Sequence, residues 1–152
     1  MDRGEKAAGL FLEGYNCAQA VAVAFSDVTG LSPELSAKMA SSFGGGLGRL
    51  REVCGAVSGM ALVAGILYGY AGSETGGEKM AHYQRIQEMA GKFREANGSI
   101  VCREILENPS TDPAPSPRTA EYYAQRPCAR MVYTAAKILE EYIEANQVSI
   151  SY

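Results

Sequence analysis

The sequence predicts an all-α fold, a single-domain bundle of about six or seven helices packed around one buried central helix. Apolar residues recur every three or four positions in several segments, which is the period of an amphipathic helix. Helix-capping residues precede these segments, and glycines follow many of them. No segment alternates convincingly like a strand, except residues 148–152 at the very end. A chain of 152 residues fits one domain, which we expect to span residues 1–152.

Three helices are predicted before the first glycine-rich segment. They cover residues 2–13, 16–28 and 32–43. Asn16 is a favourable N-cap for the second helix, which breaks near Gly30. The stretch 32–34 (Ser-Pro-Glu) combines a cap, a first-turn proline and an acid, which is a strong start signal for the third helix. The three glycines at 44–46 then end that helix.

The later part of the chain predicts four more helices and one long loop. The helices cover residues 53–70, 78–96, 101–106 and 127–146. The helix at 53–70 is apolar nearly all round, which predicts the buried central helix of the bundle. The helix at 78–96 is amphipathic and carries the single histidine, His82, for which we expect a solvent-exposed position. Residues 108–117 are rich in Pro, Ser and Asp, which predicts a surface loop too short to separate two domains.

Bulk composition excludes several classes of protein. The net charge of −3 gives no reason to expect nucleic acid or an anionic membrane as a partner. The longest apolar stretch, 60–70, contains two glycines and is too short for membrane insertion. Four charged residues within the first six do not read as a secretory signal, so we expect a cytoplasmic protein. Thiols stay reduced there, so the cysteines indicate metal binding or redox work more than structural disulfides.

The four cysteines are the strongest functional signal. They are Cys17, Cys54, Cys102 and Cys128, and each follows a helix-start signal. A thiol in the first turn of a helix is favoured as a thiolate by the helix dipole and the free N–H groups. Arginines at 51, 103, 126 and 130 lie close to three of them in sequence. The absence of a CxxC pair argues against a thioredoxin-type site and a zinc knuckle, but a four-thiolate site built from four helices remains open.

Two sets of glycines have more than one interpretation. Residues 44–48 contain four glycines, and such a loop either connects two helices or turns its N–H groups toward an anion. The spacing matches neither a P-loop nor a dinucleotide fingerprint, so a simple connector is the favoured interpretation. Gly55 and Gly59 lie on one helical face, where each costs about 1 kcal/mol relative to alanine. Close approach of another helix or of a bulky cofactor would offset that cost.

The cysteine stretches resemble a known family. They are Gly-Tyr-Asn-Cys-Ala-Gln-Ala-Val (14–21), Phe-Gly-Gly-Gly (43–46), Cys-Gly-Ala-Val-Ser-Gly (54–59) and Ile-Val-Cys-Arg-Glu-Ile-Leu (100–106), with Cys128 beyond them. Together they resemble the redox-active family named for its C–GCAxxG–C–C signature, in which a CGAxxG motif accompanies three further cysteines. The resemblance implies a small helical protein, mainly bacterial or archaeal, with proposed redox activity and a functional link to a transporter. A similar cytochrome domain implies an iron–sulfur cluster on the four cysteines, although this chain lacks a CxxCH haem motif.

Three functional hypotheses follow. In the first, the thiolates of Cys17, Cys54, Cys102 and Cys128 bind an iron–sulfur cluster or another soft metal for electron transfer or sensing. In the second, the protein is a thiol–disulfide oxidoreductase with Cys54 as the catalytic nucleophile, because a helix start and the nearby Arg51 favour its thiolate and the following Gly55 leaves it accessible. In the third, the chain is a non-enzymatic helical interaction module whose cysteines fill the core. An unidentified redox partner and a homodimer are further expectations.

Overall fold

The computed structural model describes residues 2–72 and 76–147. Within these ranges it contains nine α-helices and one 3-10 helix at Ser41–Phe43, which confirms the predicted all-α class. The helices are α1 (Arg3–Leu12), α2 (Cys17–Ala24), α3 (Ser26–Thr29), α4 (Pro33–Ala40), α5 (Gly55–Tyr68), α6 (Gly77–Asn97), α7 (Cys102–Leu106), α8 (Ala120–Gln125) and α9 (Cys128–Ala145). The strand considered at residues 148–152 lies outside the described residues.

Side-chain caps explain why the first helices begin where the sequence predicts. Asp2, Asn16 and Ser32 each accept a hydrogen bond from the backbone N–H three residues later. Two helices were not predicted. Helix α3 separates from α2 because the backbone of Phe25 leaves the helical region (φ −110°, ψ 12°). Thr119 caps the start of α8, because its hydroxyl accepts a hydrogen bond from the N–H of Tyr122 at 3.1 Å.

The core lies among α1, α2, α5, α6 and α9. Helix α5 buries eight of its residues, as expected for a central helix, but it shares the centre with α2. Helix α2 contacts α1, α4, α5 and α9, and six of its eight residues are buried. Alanines make up half of α2, so neighbouring helices can approach it closely from several sides. No helix of the described residues has both the length and the apolar composition that a membrane span requires.

Gly59 marks the closest approach of α5 to α2. A Cβ atom added at Gly59 would lie 2.7 Å from the carbonyl oxygen of Ala18 and 3.1 Å from the Cβ of Val21. Such distances leave no room for any side chain at this position. Helix packing therefore accounts for this glycine.

His82 is buried, so its predicted exposed position is wrong. Only 8% of the residue is accessible, and its Nδ1 lies 3.0 Å from Nη1 of Arg85. Burial and the Arg85 charge together lower the pKa of His82, which keeps the ring neutral near pH 7. The sequence interpretation failed because His82 lies on the face of α6 that packs inward with Met89 and Phe93.

Candidate functional site

The four cysteines line one cavity of about 400 Å³. Cys17, Cys102 and Cys128 are the first residues of α2, α7 and α9, and Cys54 is the N-cap of α5. The fold thus brings the starts of four helices to one place. Among residues 2–72 and 76–147, however, no three His, Cys, Asp or Glu side chains form a group that could hold a metal ion.

A capping box fixes the position of Cys17. The N–H of Gln19 donates to Oδ1 of Asn16 at 2.9 Å, and the N–H of Asn16 donates to Oε1 of Gln19 at 3.0 Å. Nδ2 of Asn16 also donates to the carbonyl oxygen of Ser41 at 3.1 Å, which ties the helix start to the 3-10 helix before the glycine-rich loop. Cys17 is half-buried, whereas the other three cysteines are buried.

A single antiparallel bridge holds Cys54 beside Cys102. The N–H of Cys54 donates to the carbonyl oxygen of Ile100 at 2.7 Å, and the N–H of Cys102 donates to that of Glu52 at 2.6 Å. The bridge itself pairs Val53 with Val101. Two cysteines that are distant in sequence are therefore positioned by backbone hydrogen bonds, a constraint that no local motif reveals.

The glycine-rich loop forms a wall of the cavity and is more than a connector. Gly46 has a φ of +71°, and a Cβ added there would lie 2.8 Å from the Cβ of Cys102. Leu47, Arg49 and Arg51 also have positive φ values, between +65° and +71°. Only glycine fits at position 46, because the backbone is left-handed and Cys102 packs directly against it.

Cys54 differs from the sequence expectation of an easily ionised thiol. Burial raises the pKa of Cys54 to about 12, and the backbone N–H groups of Ala56 and Val57 offset this only in part. Arg51, which the sequence places near Cys54, is directed instead to Cys102, where its Nη1 lies 3.7 Å from Sγ. Cys54 is therefore held as a neutral thiol at physiological pH.

Cys128 is the cysteine that the fold favours as a thiolate. The pKa of Cys128 is lowered to about 7, chiefly because the Cys17 thiol donates a hydrogen bond to its sulfur, and burial opposes this shift. The charges of Arg126, Arg118 and Arg51 lower it further. The same hydrogen bond is the main reason why the pKa of Cys17 lies well above its ordinary value. One member of the pair thus carries the negative charge and the other keeps its proton.

Positive charge surrounds these sulfurs. Four arginines line the cavity, namely Arg49, Arg51, Arg118 and Arg126, and no aspartate or glutamate of the described residues does. Arg118 also joins the loop before α8 to the end of α1 and the turn that follows it, because it donates to the carbonyl oxygens of Phe11 at 3.1 Å and Tyr15 at 3.0 Å. Sequence reasoning missed Arg49 and Arg118, since neither adjoins a cysteine. Of the arginines it did note, Arg103 pairs with Glu52 at 2.9 Å on the surface.

Comparison with known proteins identifies the family. A family model described as "Putative redox-active protein (C_GCAxxG_C_C)" matches residues 15–142, which include all four cysteines. Searches of curated proteins and of solved structures gave no match. The match covers most of the chain, so the resemblance in the cysteine stretches is confirmed. The chain therefore belongs to the C_GCAxxG_C_C family of putative redox-active proteins.

Proposed function

We propose that this protein is a thiol–disulfide oxidoreductase in which Cys128 attacks and Cys17 resolves. The proposal is carried by the placement of Cys17 and Cys128, the first residues of α2 and α9, on one cavity that arginines line, and the pKa values of the two thiols shift in opposite directions. The pKa of Cys128 is lowered to about 7, and that of Cys17 is raised well above its ordinary value. A thiol with a pKa near the ambient pH is the most effective attacking group in exchange, because it is both ionised and nucleophilic.

The reaction proceeds in two balanced exchanges. The Cys128 thiolate attacks one sulfur of a substrate disulfide, which forms a mixed disulfide and releases the other substrate sulfur as a thiolate. Cys17 then loses its proton to that leaving thiolate or to water and attacks the Cys128 sulfur, which releases the second substrate thiol. The substrate disulfide gains two electrons, and the protein is left with a Cys17–Cys128 disulfide. A second dithiol, such as a cytoplasmic reductant, returns the protein to its starting state.

Cys54 and Cys102 have a different role in this scheme. Burial raises the pKa of both thiols, and both lie in the short bridge that shapes the cavity. They support the position of the reactive pair, and the exchange steps do not require them.

Trapping the mixed disulfide tests the proposal. A small aromatic disulfide is added to the reduced Cys17→Ser variant, and the adduct is mapped by mass spectrometry. We expect a stable adduct on Cys128 in this variant and an internal Cys17–Cys128 disulfide in the wild type. Cys102→Ser serves as the matched control and should behave like the wild type. An adduct that maps mainly to Cys54, or an internal disulfide that excludes Cys128, would refute the assignment.

A four-thiolate iron–sulfur or metal site is the second candidate, favoured by the convergence of all four cysteines on one cavity. Cysteine thiolates are the ligands that iron–sulfur clusters prefer, and the group would be held by Cys17, Cys54, Cys102 and Cys128. The surrounding arginines would offset the negative charge of the cluster. A bound cluster would supply one-electron transfer. Since no three of the described cysteines form a group ready for one metal ion, this site needs rearrangement of the side chains.

Anaerobic purification separates the two candidates. Iron with acid-labile sulfide and a visible charge-transfer band, lost in each single Cys→Ser variant, would establish the cluster. Zinc alone would indicate a structural or sensing site. A metal-free protein that also fails reconstitution with iron and sulfide would leave dithiol exchange as the function.

A further inference from the structure

The wall of the cavity beside Cys128 is positively charged, because Arg49, Arg51, Arg118 and Arg126 line it. Arg51 is only 5% exposed, yet its guanidinium faces neutral partners, the carbonyl oxygen of Ser110 at 2.9 Å and the Cys102 sulfur at 3.7 Å. The Nε of Arg49 is buried and has no hydrogen-bond partner in the described part of the chain. A buried cation such as Arg51 is costly unless an opposite charge accompanies it.

No ion pair of the described residues joins an arginine of this wall to a carboxylate, and the one nearby acid, Asp112, acts on Arg49 only through its charge. The ion pairs within residues 2–72 and 76–147 lie elsewhere, and their cations are Arg3, Lys92, Arg103 and Lys137. Arg126 packs over the ring of Tyr122 at 5.1 Å and lines the cavity without an acid partner. A single thiolate at Cys128 balances only part of this charge. The cavity therefore favours an anion that enters from solvent.

The size and walls of the cavity indicate how large that anion is. About 400 Å³ suits a small molecule and is too small for a folded protein segment. Apolar side chains complete the walls, among them Phe11, Ile105, Leu106 and Met131. Exposed Pro113 and Pro115 lie at its rim, where the loop at 108–117 meets solvent. A ligand with an apolar body and one or more negative groups matches these surroundings.

We propose that the substrate of this site is a small disulfide that carries carboxylate groups, held by Arg126 and Arg49 next to the Cys128 sulfur. This inference rests on the proposed exchange function and adds the class of substrate. Apolar contacts would hold the body of the molecule, and the arginines would hold its charge. The positive wall would concentrate anionic reagents at Cys128 and disfavour cationic ones.

Paired alkylation reagents test the anion site without any exchange reaction. Iodoacetate and iodoacetamide attack the same thiolate, but only iodoacetate is anionic, so the ratio of their rates at Cys128 does not depend on the thiolate fraction. We expect this ratio to be about tenfold or more higher in the folded protein than in urea, and to fall as salt is added. Arg126→Gln should reduce it severalfold. Arg130→Gln is the matched control, since Arg130 also flanks Cys128 but lies outside the cavity wall, and it should retain the ratio.

Two results would overturn the proposal that the cavity binds an anion beside Cys128. An equal ratio in folded and unfolded protein would do so, as would a folded Arg126→Gln variant with an unchanged ratio. If Arg126→Gln fails to give the wild-type circular dichroism spectrum, Arg49→Gln replaces it with the same expectation. Arg49 lines the cavity, and within the described residues its side chain donates a hydrogen bond to the carbonyl oxygen of Ala114.

A second pair of reagents separates this inference from the exchange function. The reduced protein is treated with 3,3′-dithiodipropionate and with its dimethyl ester. The rate of the protein with each disulfide is divided by the rate of 2-mercaptoethanol with the same disulfide, which removes the difference in their intrinsic reactivity. A preference of about tenfold for the dicarboxylate supports the proposal. Equal normalised rates would overturn the substrate class and leave the exchange function standing. No reaction with either disulfide, together with a high iodoacetate ratio, would overturn the exchange function and retain the anion site.

Discussion

Nη1 of Arg51 lies 3.7 Å from Sγ of Cys102, and the arginine is only 5% exposed. This contact joins the end of the glycine-rich loop to the start of α7, where the N–H of Arg103 also donates to the carbonyl oxygen of Arg51 at 3.1 Å. Arg51 has a φ of +65°, so its backbone lies in the left-handed region that residues other than glycine rarely adopt. The contact redirects a cation that the sequence places beside Cys54.

Arg51→Gln should therefore raise the pKa of Cys102 and of Cys128 and leave that of Cys54 nearly unchanged. The Arg51 charge lowers the pKa of both Cys102 and Cys128 but is not among the leading causes of the shift at Cys54. We expect the alkylation of Cys128 to shift to higher pH in the variant, measured by peptide mapping after timed iodoacetamide labelling. Arg103→Gln, which removes a surface cation paired with Glu52, is the control and should leave the profile unchanged.

The hydrogen bond between Cys17 and Cys128 predicts a difference between two substitutions at one position. Cys17→Ala removes the donor that contributes most to the low pKa of Cys128, so the labelling profile of Cys128 should move above pH 7. Cys17→Ser keeps an O–H donor and should retain a profile close to that of the wild type. Labelling by iodoacetamide between pH 5 and 10 measures both. Identical profiles for the alanine and serine variants would contradict the assigned hydrogen bond.

Burial of Cys54 predicts a loss of stability at alkaline pH. The folded pKa of about 12 is above the unfolded value of about 8.5, so its contribution is complete below pH 8.5 and is lost as pH rises toward 12. Urea unfolding of the wild type should lose up to about 2 kcal/mol more free energy between pH 8 and pH 10 than Cys54→Ser, whose hydroxyl does not ionise. The comparison isolates Cys54 because the other cysteines are common to both proteins. Parallel pH profiles would show that Cys54 is not desolvated.

Two glycines of α5 predict opposite effects of the same substitution. Gly59→Ala places a Cβ 2.7 Å from the carbonyl oxygen of Ala18, and we expect it to lower the free energy of unfolding by about 1–3 kcal/mol. Gly65→Ala adds a Cβ with no atom within 4 Å, so it should raise that free energy by up to about 1 kcal/mol through helix propensity. Urea titration of both variants measures the difference. Equal effects at the two positions would contradict the close approach of α2.

Local signals in the sequence predicted the helices well where a cap or a proline marks the start. Asn16, Ser32 and Pro127 are such marks, and α2, α4 and α9 follow them directly. The wrong prediction for His82 and the missed helix α8 both have causes in the tertiary structure. His82 is buried because of the way α6 packs, and α8 follows a proline-rich segment whose structure depends on Arg118 and its contacts with Phe11 and Tyr15.

The sequence by itself determined that four cysteines begin four helices, because helix starts depend on residues within one turn of each cap. It could not determine which cysteine ionises. That choice depends on burial and on charges brought from distant parts of the chain, since Cys54 is desolvated while Arg118, Arg51 and the Cys17 thiol all converge on Cys128. The tertiary structure alone decided this, because a thiol pKa depends on distances through space.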